Sequence, residues 1–516
     1  MLLTSLCAIL SCSSGGGGGS GKSYIGNNTP INPPIVNPTP GTPPVTPGSS
    51  ITPPPVTPPV VVNNTRFTTT PDITKLKERL YDRIKYTING SNTSHNGATT
   101  TIEPMQIGFK LDKDDPISIK PSTVMNVKKD GAAFDITFLY TPSVTEIRNI
   151  LNDKIKNAHN LKLNMDPDSN FLLVEYATIK LSDPDFSNII PNALKDRITG
   201  TEYNEVKFIN SKLEIDEDIN LDDDNNKYYK KLSNIKPLKV TLNSGNKITG
   251  TKDGQVGIKA NDEVVNDRDR IKLTGKNSVA LFSKRDIYNR GFIEVGEDSI
   301  AQYTFYDTAD APHSSRVNNN SENITLGKTS TGIRMDREYK NIGGKAYNGY
   351  NGKISSTAEK VTGMMAYTAN KQHPTGDTND FEIGNYGEIN LSGDKSTGMY
   401  VAGNGSTKMY NKGKIIMGNS SDRSNPSIGM FFTNPLTTGL NDNHGIIEVG
   451  ENSIGMAGIN CEIVDNIGII IIEGAGGIGM VGINCEKLLN GNDIIIKANN
   501  GIGMYILMEL KVSIIL

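Results

Sequence analysis

The second half of this chain repeats one short phrase. Residues 445–456 read Gly-Ile-Ile-Glu-Val-Gly-Glu-Asn-Ser-Ile-Gly-Met, and residues 387–399 follow the same plan. A small residue anchors the second part of each copy, at Ala280, Ala301, Gly332, Gly363, Gly398, Gly429, Gly455, Gly479 and Gly503. Neighbouring anchors lie 21 to 35 residues apart. Recurrence at this interval predicts stacked structural units rather than a closed globule.

Apolar and polar residues alternate inside each copy of the phrase. The apolar pairs are Ile293/Val295, Ile324/Leu326, Ile389/Leu391, Ile415/Met417 and Ile447/Val449. This period of two is typical of a strand with one buried face. Two such strands and a glycine corner fill one coil, whose inner face needs a neighbouring coil on each side. The sequence therefore predicts a mainly β chain built on a right-handed parallel β-helix; the alternative is an antiparallel sandwich.

An Asn-x-Gly triplet precedes the first strand of many copies. It occurs at Asn289/Gly291, Asn385/Gly387, Asn411/Gly413, Asn443/Gly445 and Asn466/Gly468. Glycine tolerates positive φ, and an asparagine side chain bonds readily to the backbone of a turn. We expect positive-φ corners at these glycines and side-chain bonds from these asparagines to the corner.

Overall composition excludes two classes of function. The formal net charge of the 516 residues is −3, so no basic excess favours nucleic acid as a partner. The five histidines are scattered singly along the chain, which gives no basis for a histidine-rich metal site. We predict no metal and no cofactor.

The first residues resemble a bacterial lipoprotein signal. Residues 1–12 form an apolar run that ends in Ile9-Leu10-Ser11-Cys12, so lipidation of Cys12 is predicted as the chain's one membrane contact. The usual basic residues before the apolar run are missing. An upstream start or a weak signal would explain the difference.

Residues 13–65 are predicted to be a disordered tether. Gly16 to Ser23 matches the phosphate-loop pattern, but Tyr24 to Pro30 cannot begin the helix that such a loop needs. Thirteen prolines follow between Pro30 and Pro59, a composition that favours an extended polyproline II spacer. We interpret the whole segment as a stalk.

Residues 66–246 lack the phrase and are predicted to form an α+β segment, followed by the β-helix over 247–505. Thr70-Pro71-Asp72 predicts the start of one helix, and Ser143 with Glu146 forms a capping box for a second. Strands are predicted at 134–140 and 171–179. These residues do not identify a function.

Candidate catalytic and metal groups are sparse. The acidic run Asp216 to Asp224 lacks the glycine and terminal glutamate of a helix-loop-helix calcium site, so a solvated loop is the preferred interpretation. His95 is the one histidine in a context that suggests protease chemistry, and no nucleophilic serine segment follows it. We also find no cluster of Asp or Arg of the kind that carbohydrate-cleaving β-helices use. The chain is predicted not to be an enzyme.

Two cysteines recur at the spacing of one coil. Gly458-Ile459-Asn460-Cys461-Glu462 is repeated as Gly482-Ile483-Asn484-Cys485-Glu486. Stacked neighbours would bring their Cα atoms within the disulfide range, although parallel strands orient the Cβ atoms poorly for a bond. Both states stay open, and a ladder of buried thiols is preferred to a disulfide.

The lipoprotein-like start, the stalk and the coils together resemble the passenger region of fusobacterial-type autotransporter adhesins. The resemblance covers residues 1–60 and about 270–505. It implies display at the cell surface or outer membrane of a Gram-negative bacterium, export through an outer-membrane translocator barrel, and binding of an unknown receptor on a host or bacterial cell. The adhesive loops would be the insertions Thr304 to Asn319 and Thr368 to Asp380.

The end of the chain departs from that family. Residues 506–516 are a short non-repeat tail, with none of the strands of a translocator barrel, so a passenger truncated by a frameshift or an incomplete gene is expected. Two other functions remain as alternatives. One is a hydrolase, subtilisin-like or carbohydrate-active, carried by residues 66–246; the other is a structural cell-surface layer protein.

Overall fold

A computed structural model describes residues 85–507, except residues 113, 139, 141, 225 and 236 and the segments 307–316, 340–342, 372–380, 404–406 and 434–440. The described residues form stacked sheets of parallel strands. Cys12, the tether, the predicted helix after Thr70 and residues 508–516 lie outside the described residues. None of the described helices is long and apolar enough to cross a membrane.

Three long sheets form the solenoid. Sheet 1 contains β10 (Thr178–Lys180), β13 (Lys212–Ile215), β15 (Lys239–Leu242), β18 (Glu263–Asn266), β21 (Asp286–Asn289), β24 (Val317–Asn320), β27 (Gly344–Asn348), β30 (Phe381–Asn385), β33 (Lys408–Asn411), β36 (Asn441–Asn443), β39 (Ile463–Asn466) and β42 (Lys487–Asn490). Sheet 2 contains β14 (Ile219–Asn220), β16 (Lys247–Gly250), β19 (Arg270–Leu273), β22 (Phe292–Val295), β25 (Asn323–Leu326), β28 (Lys353–Ser356), β31 (Glu388–Leu391), β34 (Lys414–Met417), β37 (Ile446–Val449), β40 (Ile469–Ile472) and β43 (Ile494–Ile496). Sheet 3 contains β17 (Val256–Ala260), β20 (Val279–Ser283), β23 (Ile300–Tyr306), β26 (Thr331–Tyr339), β29 (Thr362–Lys371), β32 (Thr397–Gly403), β35 (Ile428–Thr433), β38 (Ile454–Ile459), β41 (Ile478–Ile483) and β44 (Ile502–Leu507).

Three shorter sheets are formed by strands nearer the start of the chain, between residues 87 and 209. Sheet 4 contains β1 (Thr87–Ile88), β3 (Gln106–Leu111), β6 (Ala132–Thr137), β9 (Asn170–Glu175) and β12 (Asn204–Ile209). Sheet 5 contains β2 (Thr99–Ile102), β5 (Thr123–Val127), β8 (Leu161–Met165) and β11 (Ile198–Thr199), and sheet 6 contains β4 (Ile117–Ser118) and β7 (Ile155–Lys156). The α-helices are α1 (Asn92–His95), α2 (Val144–Lys154), α3 (Asn192–Lys195) and α4 (Lys227–Ile235), with one 3₁₀ turn at Ala158–Asn160.

The chain contributes one strand to sheet 1, one to sheet 2 and one to sheet 3 in turn. Each strand then pairs with the strand of the same sheet in the next coil. The predicted parallel β-helix is confirmed. The alternating residues lie in sheet 2, where Ile293 pairs with Ile324 and both side chains are buried. The nine anchors occupy nine successive strands of sheet 3, β20 to β44, in one register. The right hand of the coil stays a prediction.

One continuous apolar core fills the solenoid and extends from Ile102 to Cys485. It crosses residue 246, where the α+β segment was predicted to end. Strand β15 pairs with β13 on one side of that position and with β18 on the other. Residues 85–246 do contain helices, and Ser143 caps α2 by accepting a bond from the Glu146 amide as predicted. Their strands are parallel and belong to the same stack.

A column of asparagines runs through the corner between sheets 1 and 2. The Nδ2 of each member donates to the Oδ1 of the next at 2.7 or 2.8 Å. The members are Asn266, Asn289, Asn320, Asn348, Asn385, Asn411, Asn443, Asn466 and Asn490. The same amides also bond the corner backbone, as from Asn289 to the Gly291 carbonyl at 2.9 Å. This part of the corner prediction is confirmed.

The other part of the corner prediction is wrong. None of the five predicted corner glycines has positive φ. They are glycines because successive coils approach closely there: a Cβ on Gly413 would lie 2.0 Å from the Gly387 carbonyl oxygen. Residues with positive φ occur instead at the next corner, between sheets 2 and 3. They are Asp298, Thr329, Lys360, Lys395 and Asn452.

Candidate functional site

The outer surface of sheet 1 carries a cluster of tyrosines that we call the tyrosine face. It consists of Tyr347, Tyr350, Tyr386 and Tyr410, together with Glu382 and Lys412. Tyr347 and Tyr410 occupy one register row of the sheet, with Gly384 between them. Alternation places that row on the outside, because the neighbouring residues Ile383 and Met409 are buried in the core.

Gly384 makes room for the Tyr410 ring. A Cβ at Gly384 would lie 2.5 to 2.8 Å from three atoms of that ring, Cε2, Cζ and the hydroxyl oxygen. A glycine inside a strand commonly marks a close approach of this kind. The ring of Tyr410 therefore lies across the backbone of the preceding coil.

Hydrogen bonds fix the tyrosine hydroxyls. The Tyr347 hydroxyl donates to the Glu382 carboxylate, and the Tyr410 hydroxyl lies 3.5 Å from the same Oε1. The hydroxyls of Tyr386 and Tyr410 are 3.1 Å apart. Burial, followed by the Glu382 hydrogen bond and charge, raises the pKa of Tyr347. For Tyr410, burial and then the hydrogen bond with Tyr386 raise the pKa. Both rings are thus neutral hydroxyl donors at ordinary pH.

The aromatic rings pack at tilted and edge-to-face angles. Tyr386 is the centre, with ring centroids 5.9 Å from Tyr347, 5.2 Å from Tyr350 and 5.7 Å from Tyr410. The Lys412 ammonium lies 5.6 Å from the Tyr386 centroid and 5.3 Å from the Tyr410 centroid, within cation–π range. Tyr350 differs from the others because 82% of its surface is exposed.

Carboxylates continue this face in the following coils. Asp442 and Asp465 occupy the row of Tyr410 in β36 and β39. The His444 ring Nε2 lies 2.8 Å from Asp442 Oδ2. Burial and the neighbouring Asp442 charge raise the pKa of Asp465. The face thus passes from aromatic to acidic along the solenoid.

Sequence reasoning missed the tyrosine face, although a signal was present. Within the repeats a Tyr-Asn pair recurs at 288/289, 347/348 and 410/411, each time with the asparagine in the buried column. Neighbouring residues of a strand point to opposite sides of the sheet. Each tyrosine in this pair is therefore directed outward.

Connections between strands vary in length at the corner from sheet 3 to sheet 1, and one connection from sheet 2 to sheet 3, residues 418–427, is also long. From sheet 3 to sheet 1, five consecutive connections occupy residues 307–316, 340–343, 372–380, 404–407 and 434–440, whereas the earlier ones occupy only 261–262 and 284–285. From sheet 1 to sheet 2 the connections stay short, as in Asn385 to Glu388. Both predicted insertions begin inside strands, since residues 304–306 belong to β23 and 368–371 to β29, and the first also ends in one, since residues 317–319 belong to β24. The rest, 307–316 and 372–380, lies outside the described residues.

Cys461 and Cys485 form a disulfide, with their Cα atoms 4.5 Å apart. The preference for free thiols is corrected. That preference assumed that the cysteines lie in paired strands, whereas they follow the ends of β38 and β41, each behind a left-handed asparagine, Asn460 or Asn484. At this corner the backbone no longer has the pleat of a strand, so the orientation that disfavours a disulfide between paired strands does not apply.

His95 and the acidic run have structural surroundings. His95 is buried against Phe109, its ring centroid 6.2 Å away, and its Nε2 has no hydrogen-bond partner among the described residues. Burial lowers the pKa of His95. In the acidic run, Asp222 accepts bonds from the Thr251 amide and Gln255, which hold the pKa of its carboxyl at about 2. Over the described range, no group of three or more His, Cys, Asp or Glu side chains is arranged to hold a metal ion.

Two clefts lie away from the tyrosine face, beside α4. The larger, about 790 Å³, is lined in part by Lys129, Asp168 and Lys207. The smaller, about 530 Å³, is lined in part by Asp224 and Lys252. Their charges already pair within the protein, Lys129 with Asp168 at 3.1 Å and Lys252 with Asp224 at 2.7 Å. Neither cleft offers a better candidate site than the tyrosine face.

Comparison with known proteins returned no relative: no family model, curated protein or solved structure matches this chain.

Proposed function

We propose that this chain is a surface-displayed binding protein without catalysis, an adhesin of the autotransporter-passenger kind. The observation that carries the proposal is that three of five consecutive connections from sheet 3 to sheet 1 are long, at residues 307–316, 372–380 and 434–440. In solenoids, insertions gathered on one face commonly form the binding surface, because the framework beneath them is fixed by stacking.

The lack of a catalytic site is part of the proposal. Its support is that the candidate groups have structural partners: His95 packs in the core, and Asp222 holds the β16–β17 connection. Binding also suits the tyrosine face, since exposed tyrosines are enriched at recognition surfaces.

The finer features of the proposal follow from the resemblance to fusobacterial-type adhesins. They are display at a Gram-negative cell surface, a lipid on Cys12, export by an outer-membrane barrel and a receptor on a host or bacterial cell. The receptor itself has no assignment.

Adherence assays with matched deletions test the proposal. In the full chain, residues 308–315 or 373–379 would be replaced by Gly-Ser, and in the control residues 419–425, the long connection between sheets 2 and 3, would be replaced in the same way. Purified wild-type chain is expected to bind epithelial or partner bacterial cells. The first two variants should lose binding, and the control should keep it, with unchanged circular dichroism for all three.

Two outcomes would contradict the proposal. One is equal binding by all variants, or binding by none including the wild type. The other is labelling of a single serine in residues 66–246 by a serine-reactive probe together with hydrolysis of casein, which would support the hydrolase instead.

A further inference from the structure

We infer that the tyrosine face is a glycan-binding site, in which the ring of Tyr350 is the platform for one sugar ring. The inference rests on the proposed binding function and adds a ligand class and a second surface. It starts from the exposure of Tyr350, which at 82% exceeds that of every other large apolar side chain in the described residues.

An exposed aromatic ring needs support if it is to act as a platform. Tyr350 lies in the connection between β27 and β28, which takes four residues where β30 to β31 takes two. Its ring packs at 51° on Tyr386, which is itself held by a hydroxyl contact with Tyr410. The ring is therefore positioned by the next coil rather than only by its own connection. Such preorganisation lowers the entropic cost of binding.

The spacing along the solenoid suits a linear ligand. Tyr350 and Tyr347 belong to one coil, Tyr386 to the next, and Tyr410 and Lys412 to a third, with strands about 4.8 Å apart. That step is close to the repeat of one sugar ring in an extended oligosaccharide. Successive rings of one glycan chain can thus contact successive coils.

The polar groups at the rim are those that sugar hydroxyls need. The exposed Lys412 ammonium offers donors, and the hydroxyl of Tyr350, whose surface is 82% exposed, can both donate and accept. Glu382 is buried and holds the Tyr347 hydroxyl in place from below. A few fixed polar groups beside an aromatic surface are typical of a small-molecule site. The apolar face of a pyranose fits the ring of Tyr350, and its equatorial hydroxyls reach the rim.

A cationic ligand fits less well. Tyrosine clusters can bind quaternary ammonium groups. Here the Lys412 ammonium already lies over the rings of Tyr386 and Tyr410, at 5.6 and 5.3 Å from their centroids. Lys345 is paired with Glu382 at 3.4 Å, so Lys412 is the cation that acts on the rings. Repulsion from Lys412 disfavours a cation and leaves a neutral glycan as the favoured occupant.

Titration with neutral oligosaccharides tests the inference. The probes are linear oligosaccharides of glucose, of galactose and of N-acetylglucosamine, added to the full chain and followed by saturation-transfer NMR and by tyrosine fluorescence, which no tryptophan obscures. We expect at least one probe to bind. Tyr350→Ala should weaken it by at least about tenfold, with an unchanged melting temperature.

Two further variants complete the design. Tyr176→Ala removes another exposed tyrosine, 53% exposed and far from this row in sequence, and should leave binding unchanged. Gly384→Val displaces the Tyr410 ring, so it should weaken binding even though Tyr350 is intact. A glycan affinity that is equal in wild type and Tyr350→Ala would overturn the inference, as would failure of every probe to bind.

Two results distinguish the glycan inference from a cation-binding face and from the proposed adhesive function. If phosphocholine binds and Tyr350→Ala abolishes that binding, the face is a cation cage and the glycan assignment is wrong. If cell adherence depends on the insertions at residues 307–316 and 372–380 but no glycan binds, the proposed function stands and this inference fails.

Discussion

The Asn385 side-chain amide donates a 2.8 Å hydrogen bond to the Oδ1 of Asn411, one coil further along. Eight such bonds connect nine asparagines, and all of them run in the same direction. The column begins at Asn266 because the residue paired with it in the preceding coil is Leu242, which has no side-chain amide. Accordingly, the Oδ1 of Asn266 has no partner among the described residues.

Asn411→Ala is expected to lower the free energy of unfolding by about 2–4 kcal/mol. The substitution removes the acceptor of the Asn385 amide and the donor to Asn443, both of which stay buried. Urea denaturation followed by circular dichroism measures the loss. Asn390→Ala is the matched control, because Asn390 lies on the outer side of sheet 2 with one long bond to Glu388. Equal effects in the two variants would show that the column contributes little.

Gly398→Ala is expected to destabilise the solenoid, whereas Gly503→Ala should be neutral. Both glycines are anchors of sheet 3. A Cβ on Gly398 would lie 2.5 Å from the Gly429 carbonyl oxygen, while a Cβ on Gly503 would meet no atom of the described residues within 4 Å. Overpacking typically costs about 1–3 kcal/mol. Thermal melting of the two variants, compared with wild type, provides the measurement; a stable Gly398→Ala would mean that the coils separate easily at this position.

Removal of the disulfide is expected to loosen the coils that carry β38 to β44. The bond joins residues 24 positions apart, and closure of a loop of this size contributes about 3 kcal/mol in the chain-entropy description. The double variant Cys461→Ser/Cys485→Ser should therefore be cleaved faster by a protease in residues 461–507. A reducing agent should have the same effect on wild type and none on the variant. Absence of the bridged peptide from a non-reducing digest would contradict the pairing.

Asp135→Asn is expected to stabilise the protein above neutral pH. Asp135 is 1% exposed, its Oδ1 has no partner among the described residues, and the Lys110 ammonium lies 4.0 Å from its Oδ2. Burial, and then the charge of Glu175, raise the pKa of this carboxyl from 3.8 to about 7. The folded protein thus holds a proton that the unfolded chain releases near pH 4, so the free energy of unfolding falls as pH rises from about 4 to about 7.

The asparagine variant lacks this titration. Its gain over wild type should be absent below pH 4 and reach on the order of 4 kcal/mol above pH 7. Urea midpoints from pH 4 to pH 8 measure the difference. Asp168→Asn is the control, since Asp168 pairs with Lys129 at the surface and such pairs contribute little. A constant difference between wild type and Asp135→Asn across the pH range would refute the raised pKa.

Much of the coil could be read from the sequence because its signals are local and periodic. The alternation of Ile293 and Val295 marks a strand, and the repeat marks stacking, so the strands of sheet 2 and the register of the anchors followed. The cap at Ser143, which accepts from the Glu146 amide, is an equally local signal, and α2 begins there. By contrast, the strands in residues 85–246 carry no repeated phrase, and their place in the same stack emerged only from pairing between distant residues.

What depended on neighbouring coils was decided by the tertiary structure alone. The sequence shows that residue 413 is a glycine. Only the stacking of coils shows the reason, which is the close Gly387 carbonyl and not a positive φ. The sequence placed Cys461 one coil from Cys485, while the corner geometry determined that they bond. It placed the tyrosines in separate copies, and the distances that join Tyr350, Tyr386 and Tyr410 arise from the register between coils. The sequence of one coil specifies strands and corners; contacts between side chains of adjacent coils exist only once the stack has formed.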